Sequence, residues 1–123
     1  MQSSREPILI VEDDPSIRNG LKELLELEGH DVVTAENGLE GLKKLESITP
    51  CLVLLDLMMP VLDGYGFLRT LIKEKPEVKA ETPVILLTAA GQREAASQLV
   101  DEVVTKPVDI DRLLDIVKKH CRD

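Results

Sequence analysis

Four groups that can do chemistry stand at the ends of short apolar runs in this 123-residue chain. Glu12-Asp13-Asp14 follows Ile8–Val11, and Asp56 follows Leu52–Leu55. Thr88 and Ala89 follow Val84–Leu87, and Lys106-Pro107 follows Val103–Thr105. If the first and third runs are neighbours, Asp13, Asp14 and Asp56 converge. Three carboxylates in one crevice repel one another unless a cation is present. A hard divalent ion relieves that repulsion, and Mg²⁺ prefers a few carboxylates, several waters and phosphate oxygens. Lys106 supplies a point charge for phosphoryl oxygens and Thr88 a hydroxyl donor. The set meets the needs of phosphoryl transfer to a carboxylate nucleophile, Asp56: positioning and charge neutralisation.

The elements that position these groups follow from hydrophobic pattern. Five short runs rich in Val, Ile and Leu (the four above and Val32–Ala35) are continuous rather than alternating, as in strands covered on both faces. Between them lie helix-period stripes. These are Ile17, Leu21, Leu24 and Leu25; Leu39, Leu42, Leu45 and Ile48; Phe67, Leu68, Leu71 and Ile72; and, last, Ile110, Leu113, Leu114 and Val117. Asp14 before Pro15, Asp63 before Gly64, and Asp109 supply helix starts, and Gly29 a stop. A fourth stretch, Gly91–Val100, is weak, with only Ala95, Ala96 and Leu99 to bury. Alternating strands and helices predict an α/β, doubly wound, five-stranded parallel sheet with helices on both faces. Ligands of such folds bind beyond the carboxyl ends of the strands, where the four chemical groups lie.

Composition narrows the function classes. A size of 123 residues fits one domain, 1–123, with an ordered core of about 7–120. The formal charge of −8 disfavours direct binding to a nucleic-acid backbone. No apolar run reaches the roughly 20 residues of a membrane span, and no signal-peptide core is present, so a cytoplasmic location is expected. Cys51 and Cys121 make no metal-ligand spacing. Cys51 reads as a small core residue and Cys121 as a free thiol, with no disulfide expected in a cytosolic domain. His30 and His120 read as solvated, and Tyr65 and Phe67 as packing residues.

The motifs Val11-Glu12-Asp13-Asp14-Pro15, Leu54-Leu55-Asp56-Leu57-Met58-Met59-Pro60 with Asp63-Gly64, Leu87-Thr88-Ala89 and Thr105-Lys106-Pro107 resemble the receiver domains of two-component response regulators. The resemblance covers nearly the whole chain. It implies a flavodoxin-like fold of strand order 2-1-3-4-5. It implies Asp56 as phosphoacceptor, Asp13 and Asp14 as the acidic Mg²⁺-binding pair, and Met58 as donor of a backbone carbonyl to the metal. Thr88 matches the switch hydroxyl, Ala89 the small residue of the phosphate pocket, and Lys106 the phosphate-binding lysine, often followed by a cis proline. The implied partners are a sensor histidine kinase or phosphotransfer protein and a downstream protein controlled by a change of conformation. A homodimer through the stretch Gly91–Val100, the fifth strand and the last helix is a further implied possibility. The only chemistry implied is self-phosphorylation and autodephosphorylation.

Three features depart from the family pattern. Val103 stands where an aromatic residue usually couples to the switch. The segment from Thr88 to Lys106 is short by about one helical turn. Met58 and Ala90 lack strong hydrogen bonds with which to orient an attacking water, which predicts slow loss of the phosphoryl group. Two other readings compete. A phosphatase of the haloacid dehalogenase type needs a carboxylate two residues after the nucleophile, where Met58 stands. A receiver-like scaffold that works without phosphorylation is favoured by Val103 and the short segment, and disfavoured by the acidic groups, Thr88 and Lys106. In it, Lys106 is simply the ion-pair partner of Asp56, and Asp13 and Asp14 are capping residues.

Overall fold

Each apolar run of the sequence becomes a strand because both of its faces find cover. The computed structural model describes residues 6–89 and 99–121. The strands are β1 (Ile8–Val11), β2 (Val32–Ala35), β3 (Leu52–Asp56), β4 (Val84–Thr88) and β5 (Glu102–Thr105). All pair in parallel, in the order β2-β1-β3-β4-β5. The helices are α1 (Pro15–Leu27), α2 (Gly38–Lys44), α3 (Gly64–Glu74), α4 (Pro76–Glu81) and α5 (Ile110–His120). The expected fold and strand order are therefore present.

Alternate residues of each strand point to opposite faces, and this period of two divides the core. Ile8, Ile10, Leu52, Leu54, Ile85 and Leu87 pack with α1 and α5 side chains such as Leu25, Leu113 and Val117. Leu9, Val11, Val53, Leu55, Val84 and Leu86 pack with Leu45, Phe67, Leu68 and Leu71 on the other face.

Local chemistry sets the helix boundaries. The Asp14 carboxylate accepts from the backbone N–H of Ser16 and Ile17, with Pro15 at the first helical position. Asp63 caps α3 through Gly66 N–H, and Asp109 caps α5 through Arg112 N–H. Gly29, at φ 96°, occupies the left-handed conformation just past α1. The expected stripe of the second helix holds at Leu42, Leu45 and Ile48, which pack in the core, but Leu39 is 47% exposed and the close approach of α2 to the sheet is at Gly41. A Cβ there would stand 3.0 Å from Phe67 and from Val11. Helix α4 is not evident in the sequence pattern. Pro76 forces Lys75 out of the helical region (φ −139°, ψ 60°), ending α3 and starting a new short helix.

Most of the weak stretch Gly91–Val100 lies outside the described residues. Leu99 and Val100 pack against the core cluster on the α2/α3 face. Among the described residues no helix is long and apolar enough to cross a membrane.

The cysteine expectation is corrected. Cys51, just before β3, and Cys121, the C-cap of α5, form a disulfide across 70 residues, with Cα atoms 5.4 Å apart. Helix α5 follows the carboxyl end of β5 and runs back antiparallel to the strands, which returns its end to the start of β3, a proximity that sequence spacing does not display.

Candidate functional site: an acidic cleft at the carboxyl ends of the strands

The register of β1 against β3 builds the site. Ile8 pairs with Leu52 and Ile10 with Leu54. Continued one step further, that register puts Glu12 level with Asp56. Both carry on the series that faces α1 and α5, so their carboxylates meet. Glu12 is 1% exposed and Asp56 5%. The third carboxylate is Asp13, and one oxygen from each of Glu12, Asp13 and Asp56 lies within 4.8 Å of the others. Lys106, one residue past β5, reaches over the end of β4. Its Nζ donates to Asp56 Oδ1 and Glu12 Oε1, each at 3.2 Å.

The carboxylates that the structure gathers beside Asp56 are Glu12 and Asp13, where the sequence points to Asp13 and Asp14. Asp14 lines the cleft, but its carboxylate is engaged in capping α1 and it stands outside the three-carboxylate cluster. Glu12 was legible only as the first residue past a strand; knowing the register was needed to place it. Arg18 carries no motif signal in the sequence. Its guanidinium donates to the carbonyls of Glu12 and Asp13, at 3.0 and 3.2 Å, and so holds the β1–α1 loop that presents both carboxylates.

Charges in this cleft are strained by burial. Desolvation, opposed by hydrogen bonding from Asp14 N–H and reinforced by the negative charge of Asp56, pushes the Glu12 carboxyl up to about 7. Burial likewise raises Asp56, against the opposing pull of Lys106. Lys106 is held protonated above its ordinary range by the two carboxylates, which outweigh its own desolvation. One ammonium therefore does not neutralise the cluster. Hard oxygen donors, a carboxylate excess and an open cleft of about 250 Å³ fit a divalent cation of the Mg²⁺ kind.

The remaining expected residues divide. Met58 and Ala89 line the cleft with Asp56 and Lys106. Thr88 ends β4 as expected but is 1% exposed, and its hydroxyl donates to Ala89 O at 3.4 Å rather than into the cleft. Its carbonyl accepts from Lys106 N–H at 2.7 Å, tying the two strand ends together. The Lys106–Pro107 peptide is cis. Val103 pairs with Leu86 in the sheet and packs on the α2/α3 face, half-buried. Ala90 lies outside the described residues. On the loop after Asp56, Val61 sits at φ 70°, a conformation costly for a β-branched residue.

Residues 8–118 match the response regulator receiver domain family. The chain belongs to that family. It is 45% identical over 92 residues to a probable transcriptional regulator, ycf27, of Pyropia yezoensis, covering 75% of this chain and 36% of that protein. It is 35% identical to protein PilG of Pseudomonas aeruginosa, covering 97% and 90% of the two chains. Among solved structures it is similar to response regulator protein TrrA of Thermotoga maritima in complex with Mg²⁺-BeF. That match has TM-score 0.80 and 40% identity, and covers 93% of this chain and 97% of that one. The chain spans between 36% and 48% of the length of the transcriptional regulators it matches. It is a receiver domain of two-component signalling, built on the flavodoxin-like fold.

Proposed function

We propose that Asp56 accepts a phosphoryl group from the phosphohistidine of a sensor kinase or phosphotransfer protein. The observation that carries this reading is the convergence of three carboxylates and one ammonium at the end of β3, with Lys106 Nζ 3.2 Å from Asp56 Oδ1. An Asp56 oxygen attacks phosphorus, a P–O bond forms, and the P–N bond to the imidazole breaks with its electron pair leaving on nitrogen. Lys106 keeps Asp56 ionised and then faces the transferred oxygens. Glu12, Asp13 and Asp56 would hold a Mg²⁺ ion, with the Met58 carbonyl as a further donor, and the bound ion would neutralise charge on the phosphoryl oxygens. Mg²⁺ in the complex of the TrrA relative supports this assignment.

The donor's docking place is next to the cleft. An apolar groove of about 540 Å³ is lined by Ile17, Leu21, Leu24, Pro107, Val108 and Ile110. Ile17 and Lys106 line both groove and cleft, so a helix seated there brings its histidine to Asp56. The reading places the chain in the cytoplasm and limits its chemistry to forming and losing its own acyl phosphate. Thr88 is the switch hydroxyl, which must turn from Ala89 O toward the phosphoryl group, and Ala89 leaves room for that group. With Val103 in place of an aromatic, the switch is passed on by Thr88 and the backbone. Its output is a protein partner, or a homodimer through β5 and α5.

Incubation with Mg²⁺ and acetyl phosphate, read by intact mass, tests the assignment. The parent protein gains one phosphoryl group and Asp56→Asn gains none. An undiminished gain in that variant moves the acceptor elsewhere and sinks the assignment. Met58 is 59% exposed and offers no strong hydrogen bond to water. Met58→Asn should therefore shorten the acyl-phosphate lifetime several-fold; a lengthened lifetime counts against this role.

A further inference from the structure

The opposite end of the sheet carries a second reactive group. The Cys51–Cys121 bridge joins the start of β3 to the end of α5; both cysteines touch the same apolar cluster, and they differ in burial. Cys121 is 7% exposed and belongs to the apolar cluster between the sheet and α1 and α5. Cys51 is half-buried and lines an open cleft of about 360 Å³ together with Glu6, Thr49, Glu77 and His120. The buried Nε2 of His120 has no hydrogen-bond partner among the described residues. A buried polar atom without a partner calls for one, and it lies on a residue lining this cleft.

We propose that the bridge is a reversible thiol–disulfide clasp, opened by a thiol reductant that enters this cleft and attacks Cys51. The incoming thiolate forms a disulfide with Cys51 Sγ. The Cys51–Cys121 bond breaks, and its electron pair stays on Cys121 Sγ, which then takes a proton from water. A second thiolate attacks the mixed disulfide and releases Cys51. The protein gains two electrons, and two thiols are oxidised to one disulfide. Attack at Cys51 is favoured by access, because Cys121 is enclosed in the core.

The opened clasp frees the last turn of α5. That turn is otherwise held by the Cys121 N–H to Val117 carbonyl hydrogen bond and by burial of Ile116 and Val117. The acidic cleft lies at the other end of the strands, so opening the clasp acts on α5 without passing through Asp56. This inference stands independently of the phosphoacceptor assignment.

The test equilibrates the full chain in buffers of reduced and oxidised glutathione, counts free thiols, and maps acid-quenched mixed disulfides by mass. The expected result is a reversible change between zero and two thiols. Glutathione should be found on Cys51 about tenfold more than on Cys121. Amide exchange across residues 116–121 should quicken by about tenfold on reduction, with residues 9–12 unchanged. Cys121→Ser should show the fast exchange in either buffer, and reduction of the parent protein gives the same readout should that variant fail to fold. Two thiols persisting in oxidised glutathione, glutathione mainly on Cys121, or unchanged exchange at 116–121 would each overturn the proposal.

Discussion

The two ends of the parallel sheet are closed by opposite means. At the carboxyl end, Glu12, Asp13 and Asp56 meet around Lys106, and the cluster keeps an excess of negative charge in a partly desolvated cleft. At the amino end, Cys51 and Cys121 close the fold with a covalent bond. The first end is left poised for a ligand, because its charges are not balanced by protein groups. The second is held by a bond within the chain and needs no ion to offset charge. A receiver has to respond at one end while its strands stay in register, and this division meets both needs.

The largest effect on this contrast comes from removing Lys106, the ammonium that pairs with the Glu12 and Asp56 carboxylates. Lys106→Met should slow phosphoryl uptake from acetyl phosphate by about a hundredfold or more, since it removes the group that faces the transferred oxygens. Uptake within threefold of the parent would make Lys106 a structural ion-pair partner only. At the other end, reducing the disulfide should lower unfolding free energy by about 2–4 kcal/mol in urea titrations. A loss well under 1 kcal/mol would show that packing of α5 alone holds that end.

The third test separates the ends by pH. Glu12 and Asp56 both have folded pKa values raised above the unfolded ones. Their protonated forms favour the fold, so this contribution is present below about pH 4.5 and is lost as pH rises to about 7. Metal-free protein should lose on the order of 2 kcal/mol across that window, and saturating Mg²⁺ should flatten the fall. An equal slope with and without Mg²⁺ would remove the cation from this cleft. The bridge at the amino end does not titrate there, so bridge-reduced protein should keep the same slope.

The smallest effect sharpens the identity of the acidic pair. Glu12→Gln should weaken Mg²⁺ binding about tenfold, the scale expected for a lost ligand charge. Asp14→Ala should cost about 1 kcal/mol of stability through loss of the α1 cap, with Mg²⁺ affinity changed less than threefold. Calorimetric titration of both variants decides between them, and the reverse pattern would restore Asp14 to the metal site.

Much of this molecule follows from local sequence. Runs of Val, Ile and Leu dictate the strands, because only a sheet covered on both faces buries them throughout. Asp14-Pro15, Asp63 and Asp109 set helix starts through a single side chain bonding to nearby N–H groups. Asp56, Thr88 and Lys106 are recognisable as strand-end chemistry from position alone. Other features needed the tertiary structure. Which carboxylates meet Asp56 depends on the β1–β3 register, which puts Glu12 beside Asp56, while Asp14 caps its helix. The disulfide depends on where α5 ends relative to β3, 70 residues apart in the chain. The direction of the Thr88 hydroxyl depends on its burial against Ala89. For the acidic cluster and the disulfide the deciding quantity is a distance between parts of the chain remote in sequence, and for Thr88 it is burial by tertiary packing; hydrophobic periodicity carries neither.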